Sequence, residues 1–205
     1  MNTLKIVQSS DCDSPREWDN LGTIAYKHRN YTLGEEEISE PIEWLEDRLG
    51  LEQKYEYSNE RLQELEERFY NKFLALPIYL YDHSGQSIST SPFGCRWDSG
   101  KVGYIYVDKK TVLKEYGGKI VTAKLKERVL GYLKGEVETY NQYICGEVYG
   151  FQILDEDEDI IDSCYGFYGD DWATNGMTDH IDFRDLGLNS VEELVELMKT
   201  IEIEY

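Results

Sequence analysis

The hydrophobic pattern of this 205-residue chain changes period along its length, and that change limits the folds open to it. From Ser58 to Leu76 apolar residues recur at three and four, through Leu62, Leu65, Phe69, Phe73 and Leu76. That is the spacing of an amphipathic helix, with Ser58 as N-cap and a stop before Pro77. The same spacing returns from Thr122 to Tyr143, where Leu125, Val129, Tyr132, Leu133, Val137 and Tyr140 form one face. Gly131 and Gly135 are poor helix residues and predict close packing there. Pro41 opens a shorter helix with Ile42, Leu45 and Leu49 on one side. Asp108 caps another over Thr111 to Tyr116, which Gly117 and Gly118 break, and a last short helix covers Val191 to Lys199.

Between these segments the signals are of strands. Leu4 to Gln8 is a first strand, and LPIYLYDHSGQSIST reads as strand, tight turn at Ser84-Gly85, and strand. Val102 to Val107 is another, while Leu21 to His28 fits strand or helix. Val148 to Leu154 and Ile160 to Phe167 form a hairpin around the acidic turn DEDED. Hairpins give antiparallel neighbours and helices need a sheet face to bury against. The expected fold is therefore α+β: a single domain over 1–205, with an antiparallel sheet of about four to six strands and helices packed on one face. Within it lie an acidic helical segment (35–76), the sheet and long helix (77–168) and an acidic irregular part (169–205).

Charge narrows the partners. Lys and Arg number 21 against 41 Asp and Glu, a net charge of −20. Such a surface opposes nucleic acid and anionic membranes, and it attracts basic proteins. The acids are uneven: Asp155 to Tyr205 holds sixteen against two bases, whereas Lys101 to Lys134 is net basic. No apolar run is long enough to span a bilayer and the N-terminus lacks a signal-peptide pattern, so the expected compartment is cytoplasmic. Cys12, Cys95, Cys145 and Cys164 are scattered, with no CxxC pair, and read as reduced thiols.

Three strings invite a chemical reading. In DCDSPREWDN, Asp11 and Asp13 offer hard oxygens for a divalent cation, but the string lacks the EF-hand glycine and glutamate, so Asx turns explain it as well. Asp82 and His83 end a strand in YDHSG, and His83 could act as a base oriented by Asp82 or by the distant Asp98. Adjacent strand residues point to opposite faces, which disfavours Asp82 in that role. The third string, CRWDSG, puts Cys95 within reach of a histidine in the sequence, which suggests a thiol nucleophile, but it carries no cysteine-hydrolase signature. P-loop, GxGxxG, HExxH, GxSxG and kinase motifs are all missing, and no cofactor is expected.

Taken together, DCDSPREWDNLG, LPIYLYDHSG, WDSGKVGYIYV, YICGEVYGF and DSCYGFYG resemble a family of uncharacterised proteins of bacteriophages and other mobile elements. The resemblance runs from about Ser10 to Asp171 and implies no defined activity. It does imply a setting in which small acidic proteins inhibit host defence, as anti-CRISPR and antirestriction proteins do, some by imitating the DNA backbone. On that expectation the partner is a basic host protein such as a CRISPR effector or restriction nuclease. The contacting residues are Glu35, Glu36, Glu37, Glu64, Glu67, Asp155, Glu156, Asp157, Glu158, Asp170 and Asp171, with Tyr165 and Tyr168 as anchors. The alternative is a small metal-dependent hydrolase, with Asp82, His83 and Asp98 catalytic and Asp11, Asp13 and His83 as metal ligands.

Overall fold

A computed structural model describes residues 2–204. In chain order the elements are β1 (Thr3–Gln8), a 3-10 turn (Pro15–Glu17), β2 (Thr23–Tyr26), β3 (Glu36–Glu37), α1 (Pro41–Leu49), α2 (Asn59–Lys72), β4 (Phe73–Asp82), β5 (Gln86–Ser89), β6 (Ser99–Asp108), α3 (Lys109–Tyr116), α4 (Ala123–Ile144), β7 (Val148–Leu154), β8 (Ile160–Tyr168), two 3-10 turns (Met177–His180, Phe183–Leu186), α5 (Val191–Met198) and β9 (Ile203–Glu204). No helix among the described residues is long and apolar enough to cross a membrane. The α+β class expected from the pattern is the class adopted. Its strands are divided between a sheet of five and a sheet of four rather than gathered in one.

The helix ends follow local chemistry. Ser58 accepts the Arg61 N–H at 3.1 Å to start α2, and the Asp108 carboxylate accepts the N–H groups of Lys110 and Thr111 to start α3. Pro41 occupies the first turn of α1, which Gly50 closes in a left-handed conformation.

Two compact units result, Pro15–Asn141 being one and the chain on either side of it the other. In Pro15–Asn141 the strand order is β3-β2-β6-β4-β5, antiparallel except for β2 with β3. On one sheet face Ala25, Tyr104 and Tyr106 pack with Ile42 and Leu45 of α1 and with Leu65 and Phe69 of α2. Phe69 sits at the centre, its ring 5.2 Å from Tyr104 and 5.4 Å from Tyr106. Glu46 and Arg61 are buried beside it and join α1 to α2 through a 2.6 Å ion pair. The other face carries fully buried Ile24 and Ile105. Leu133 of α4 reaches it where Gly22 leaves room: a Cβ at Gly22 would lie 2.5 Å from Leu133 and 2.8 Å from Ile105. Helices thus cover both faces of this sheet, not one, because β2, β4 and β6 carry apolar residues on both sides.

The remainder of the chain forms the order β8-β7-β1-β9, antiparallel except for β1 with β9. Ile6, Tyr149, Phe151, Ile153 and Phe167 on this sheet bury against Trp172, Met177, Leu194 and Met198. The stretch from Gly169 onward, expected to be irregular apart from a short helix over Val191 to Lys199, supplies most of that second layer, and the helix is α5.

Two readings of α2 and α4 are corrected. The helix from Ser58 was expected to reach Leu76, but it stops at Lys72 and Phe73 begins β4. Phe73 and Leu76 fit the helical spacing, yet FLALPIYLY is also a continuous apolar run of the kind that forms a buried strand. Pro77 is tolerated because β5 pairs with β4 only from Tyr79 onward, so at Pro77 the strand has a free side. On α4, a Cβ at Gly131 or Gly135 would meet nothing within 4 Å, and Tyr132 is 46% exposed. Those glycines mark no close packing.

Candidate interaction site on the β7–β8 arm

β7 is an interior strand, paired with β1 on one side and β8 on the other. Among the described residues β8 is paired with β7 alone and forms the edge of its sheet. An edge strand presents a row of backbone N–H and C=O groups to whatever approaches. Phe167 and Cys164 turn inward, opposite Tyr149 and Phe151, and anchor the strand to its core. Toward the tip the apolar residues are in solvent instead: Ile160 is 55% exposed, Ile161 51% and Tyr165 48%. Ile160 stands opposite Leu154 and Asp162 opposite Ile153, so Ile161 is an extra residue in a bulge that interrupts the alternation of side chains, and a second register shift lies at Tyr149/Gly150.

Tyr165 is held in place although exposed. Its ring lies over Gly150, where an added Cβ would sit 2.2 Å from Tyr165 Cδ1. Its hydroxyl accepts a hydrogen bond from Gln152 Nε2 at 2.7 Å. An aromatic ring presented this way loses little further freedom on binding.

The turn between the strands is built from its own acids. Asp155 Oδ1 accepts the N–H groups of Asp157 and Asp159 at 2.9 and 3.0 Å, and the Asp155 N–H donates to the Asp159 carbonyl at 3.0 Å. Glu158 takes a left-handed conformation, φ 66°. Glu156, Asp157, Glu158 and Asp159 are exposed, and Asp162 follows on β8. One arm therefore combines carboxylates, two exposed isoleucines, a fixed tyrosine and an open strand edge.

The other acids expected at an interface divide into two groups. Glu37 on β3, Glu67 on α2 and Asp170 are exposed. Glu35, Glu64 and Asp171 are exposed too, but they and the half-buried Glu36 are committed to internal bonds. Glu35 accepts from Arg16 and from the Ile24 N–H, each at 2.6 Å. Glu36 gathers Trp44, Arg48 and Tyr106. Glu64 pairs with Arg61 and Arg68, whose hydrogen bonds and charge hold its carboxyl below the usual range. Asp171 accepts from the Ala173 N–H and the Thr174 hydroxyl, closing a turn. The Tyr168 hydroxyl donates to the Asp13 carbonyl at 3.0 Å and burial raises its pKa, so Tyr168 fastens its strand to the loop.

The polar strings settle differently. His83 Nδ1 lies 3.6 Å from Asp98 Oδ2, and the Cys95 thiol donates to that same oxygen at 3.4 Å. The Asp82 N–H donates to the Asp98 carbonyl at 2.9 Å, so Asp98, rather than the Asp82 side chain, is the group beside His83. At 3.6 Å the contact is an ion pair only when His83 is protonated, and both groups are open to water, with side chains 63% and 38% exposed. Trp97 in the same loop is 96% exposed. Asp11 and Asp13 are exposed, and together with burial they raise the pKa of Cys12, burial having the larger effect. Among the described residues no three or more His, Cys, Asp or Glu side chains converge as a metal ion requires.

The exposed Ile160-Ile161 pair was not singled out from sequence. Its signal was present: two large apolar residues immediately after five acids, in a segment read as the second strand of a hairpin.

Comparisons with protein-family models, with curated proteins and with solved structures found no match.

Proposed function

We propose that the chain is an inhibitory binding protein of a bacteriophage or other mobile element. On this reading it occupies the basic nucleic-acid groove of a host defence enzyme, such as a CRISPR effector or restriction nuclease, with acidic surfaces that stand in for a phosphate backbone. The observation that carries the reading is the β7–β8 arm, where acids and exposed apolar residues share one open strand edge.

A groove that binds nucleic acid must be lined with Lys and Arg, and an acidic body of charge −20 is drawn to it over long range. Exposed ion pairs add little each, so affinity needs buried apolar anchors. Ile160, Ile161 and Tyr165 supply them, at roughly 1.5–3 kcal/mol for each side chain fully buried. Glu158 supports the reading from a different direction. A left-handed residue costs about 1 kcal/mol that glycine would avoid, and here an acid occupies the position. Inhibition by exclusion requires no catalytic residue.

The test is capture of the host enzyme on the tagged chain at low salt, followed by elution with salt and with nucleic acid. A nucleic-acid enzyme released both by moderate salt and by its own DNA or guide RNA is the expected result. A partner indifferent to nucleic acid would overturn the groove assignment.

A second reading, a small hydrolase using Asp82, His83 and Asp98, draws support from the approach of His83, Cys95 and Asp98. It requires that a divalent cation raise the melting temperature and that Asp98→Asn abolish the rise. A melting temperature indifferent to added metal and to chelator removes it.

A further inference from the structure

The acidity of the chain is interrupted once. From Lys109 to Lys126 there are six lysines and one glutamate. In the structure this segment lies against the end of α2 and the start of β4, and together they line an open pocket of about 440 Å³. That volume falls within the ~300–1,000 Å³ of small-molecule sites. None of its ten lining residues is acidic, in a chain with 41 acids.

Three of the lining residues are Lys109, Lys119 and Lys126. The Lys109 ammonium donates to the Asn71 carbonyl at 2.6 Å, which fixes it at the pocket wall with N–H groups to spare. Some lysines of this chain find carboxylates, as Lys101 does with Glu66 and Lys134 with Glu138. Lys119 and Lys126 have no side-chain hydrogen bond or ion pair among the described residues. The backbone brings Lys119 there through Gly117 and Gly118, both at positive φ, 74° and 100°. The rest of the wall is apolar or aromatic, with Tyr70 and Leu113 beside Ile120, which is 73% exposed. An exposed isoleucine beside cations without partners leaves both apolar surface and charge unsatisfied.

We propose that this pocket binds a small organic phosphate, its phosphate on Lys119 and Lys126 with Lys109, and its ring or alkyl body against Tyr70, Leu113 and Ile120. Inorganic phosphate would leave the apolar wall uncovered. A nucleic-acid strand would meet the overall charge of −20, whereas a single phosphate feels chiefly the cations within a Debye length of about 10 Å. The proposal is independent of the β7–β8 arm and needs no partner protein.

The test uses the full chain alone, with anilinonaphthalene sulfonate as a fluorescent anion carrying an aromatic body and adenosine monophosphate as competitor. Saturable dye binding, displaced by the monophosphate but not by adenosine or inorganic phosphate at equal concentration, is expected. Lys119→Ala with Lys126→Ala should weaken both ligands about tenfold or more while the melting temperature is kept. Ile120→Asp should do the same, and Lys114→Ala, outside the pocket lining, should change neither. Dye binding that the lysine pair does not alter, or displacement by adenosine as readily as by its monophosphate, would overturn the assignment.

Discussion

Glu46 shows how one residue couples the helices of Pro15–Asn141. Its carboxylate is fully buried and accepts two N–H groups of Arg61, at 2.6 and 3.3 Å, and the Lys54 N–H at 3.2 Å. The Arg61 hydrogen bonds, the largest influence, hold its pKa below the ordinary 4.5 despite burial. A carboxyl lowered on folding stabilises the protein fully at pH above that ordinary value. The contribution is lost as pH falls through the lower folded value. Acid melting curves should therefore lose part of their slope below pH 4.5 in Glu46→Gln. Glu46→Ala leaves Arg61 buried without its partner and should cost about 3 kcal/mol at neutral pH by urea titration. A variant that melts like the parent would show that Arg61 finds another acceptor. Glu36, Glu35 and Glu64 belong to the same lesson: in so acidic a chain, many acids next to a basic side chain are structural.

At the scale of elements, the arm's turn can be separated from its charge. Asp155→Ala removes the acceptor for two N–H groups and should lower stability by about 1 kcal/mol, read as a drop in melting temperature. Glu158→Gly relieves the left-handed residue and should raise stability by about the same amount while weakening partner binding. Opposite signs on stability and binding would distinguish a functional residue from a structural one, and parallel losses would count against the proposed role. Hairpins, caps and the period of α4 were legible in the sequence because each rests on neighbours in the chain. Asp108 and Ser58 cap where their chemistry says they should. The C-terminus of α2 was not legible, since Phe73 and Leu76 satisfy both a helical and a strand pattern and only pairing with β6 decides. The division into two sheets depends on which strands meet, which local periodicity does not encode. His83 beside Asp98 was foreseen only as one of two options. Which acids are tied up by internal bonds could not be read at all, because the answer for Glu35 lies with Arg16 and the Ile24 backbone.

For the whole molecule, the account rests on a charge of −20 acting with an apolar anchor. The decisive measurement is the affinity of the captured host enzyme as a function of salt, for the parent and for a Glu156→Lys, Asp157→Lys, Glu158→Lys variant whose melting temperature is unchanged. The account predicts that affinity for the parent falls steeply with salt. It also predicts that the variant binds at least about tenfold more weakly at low salt, with a shallower salt dependence. Equal affinity and equal salt dependence in the two proteins would contradict it.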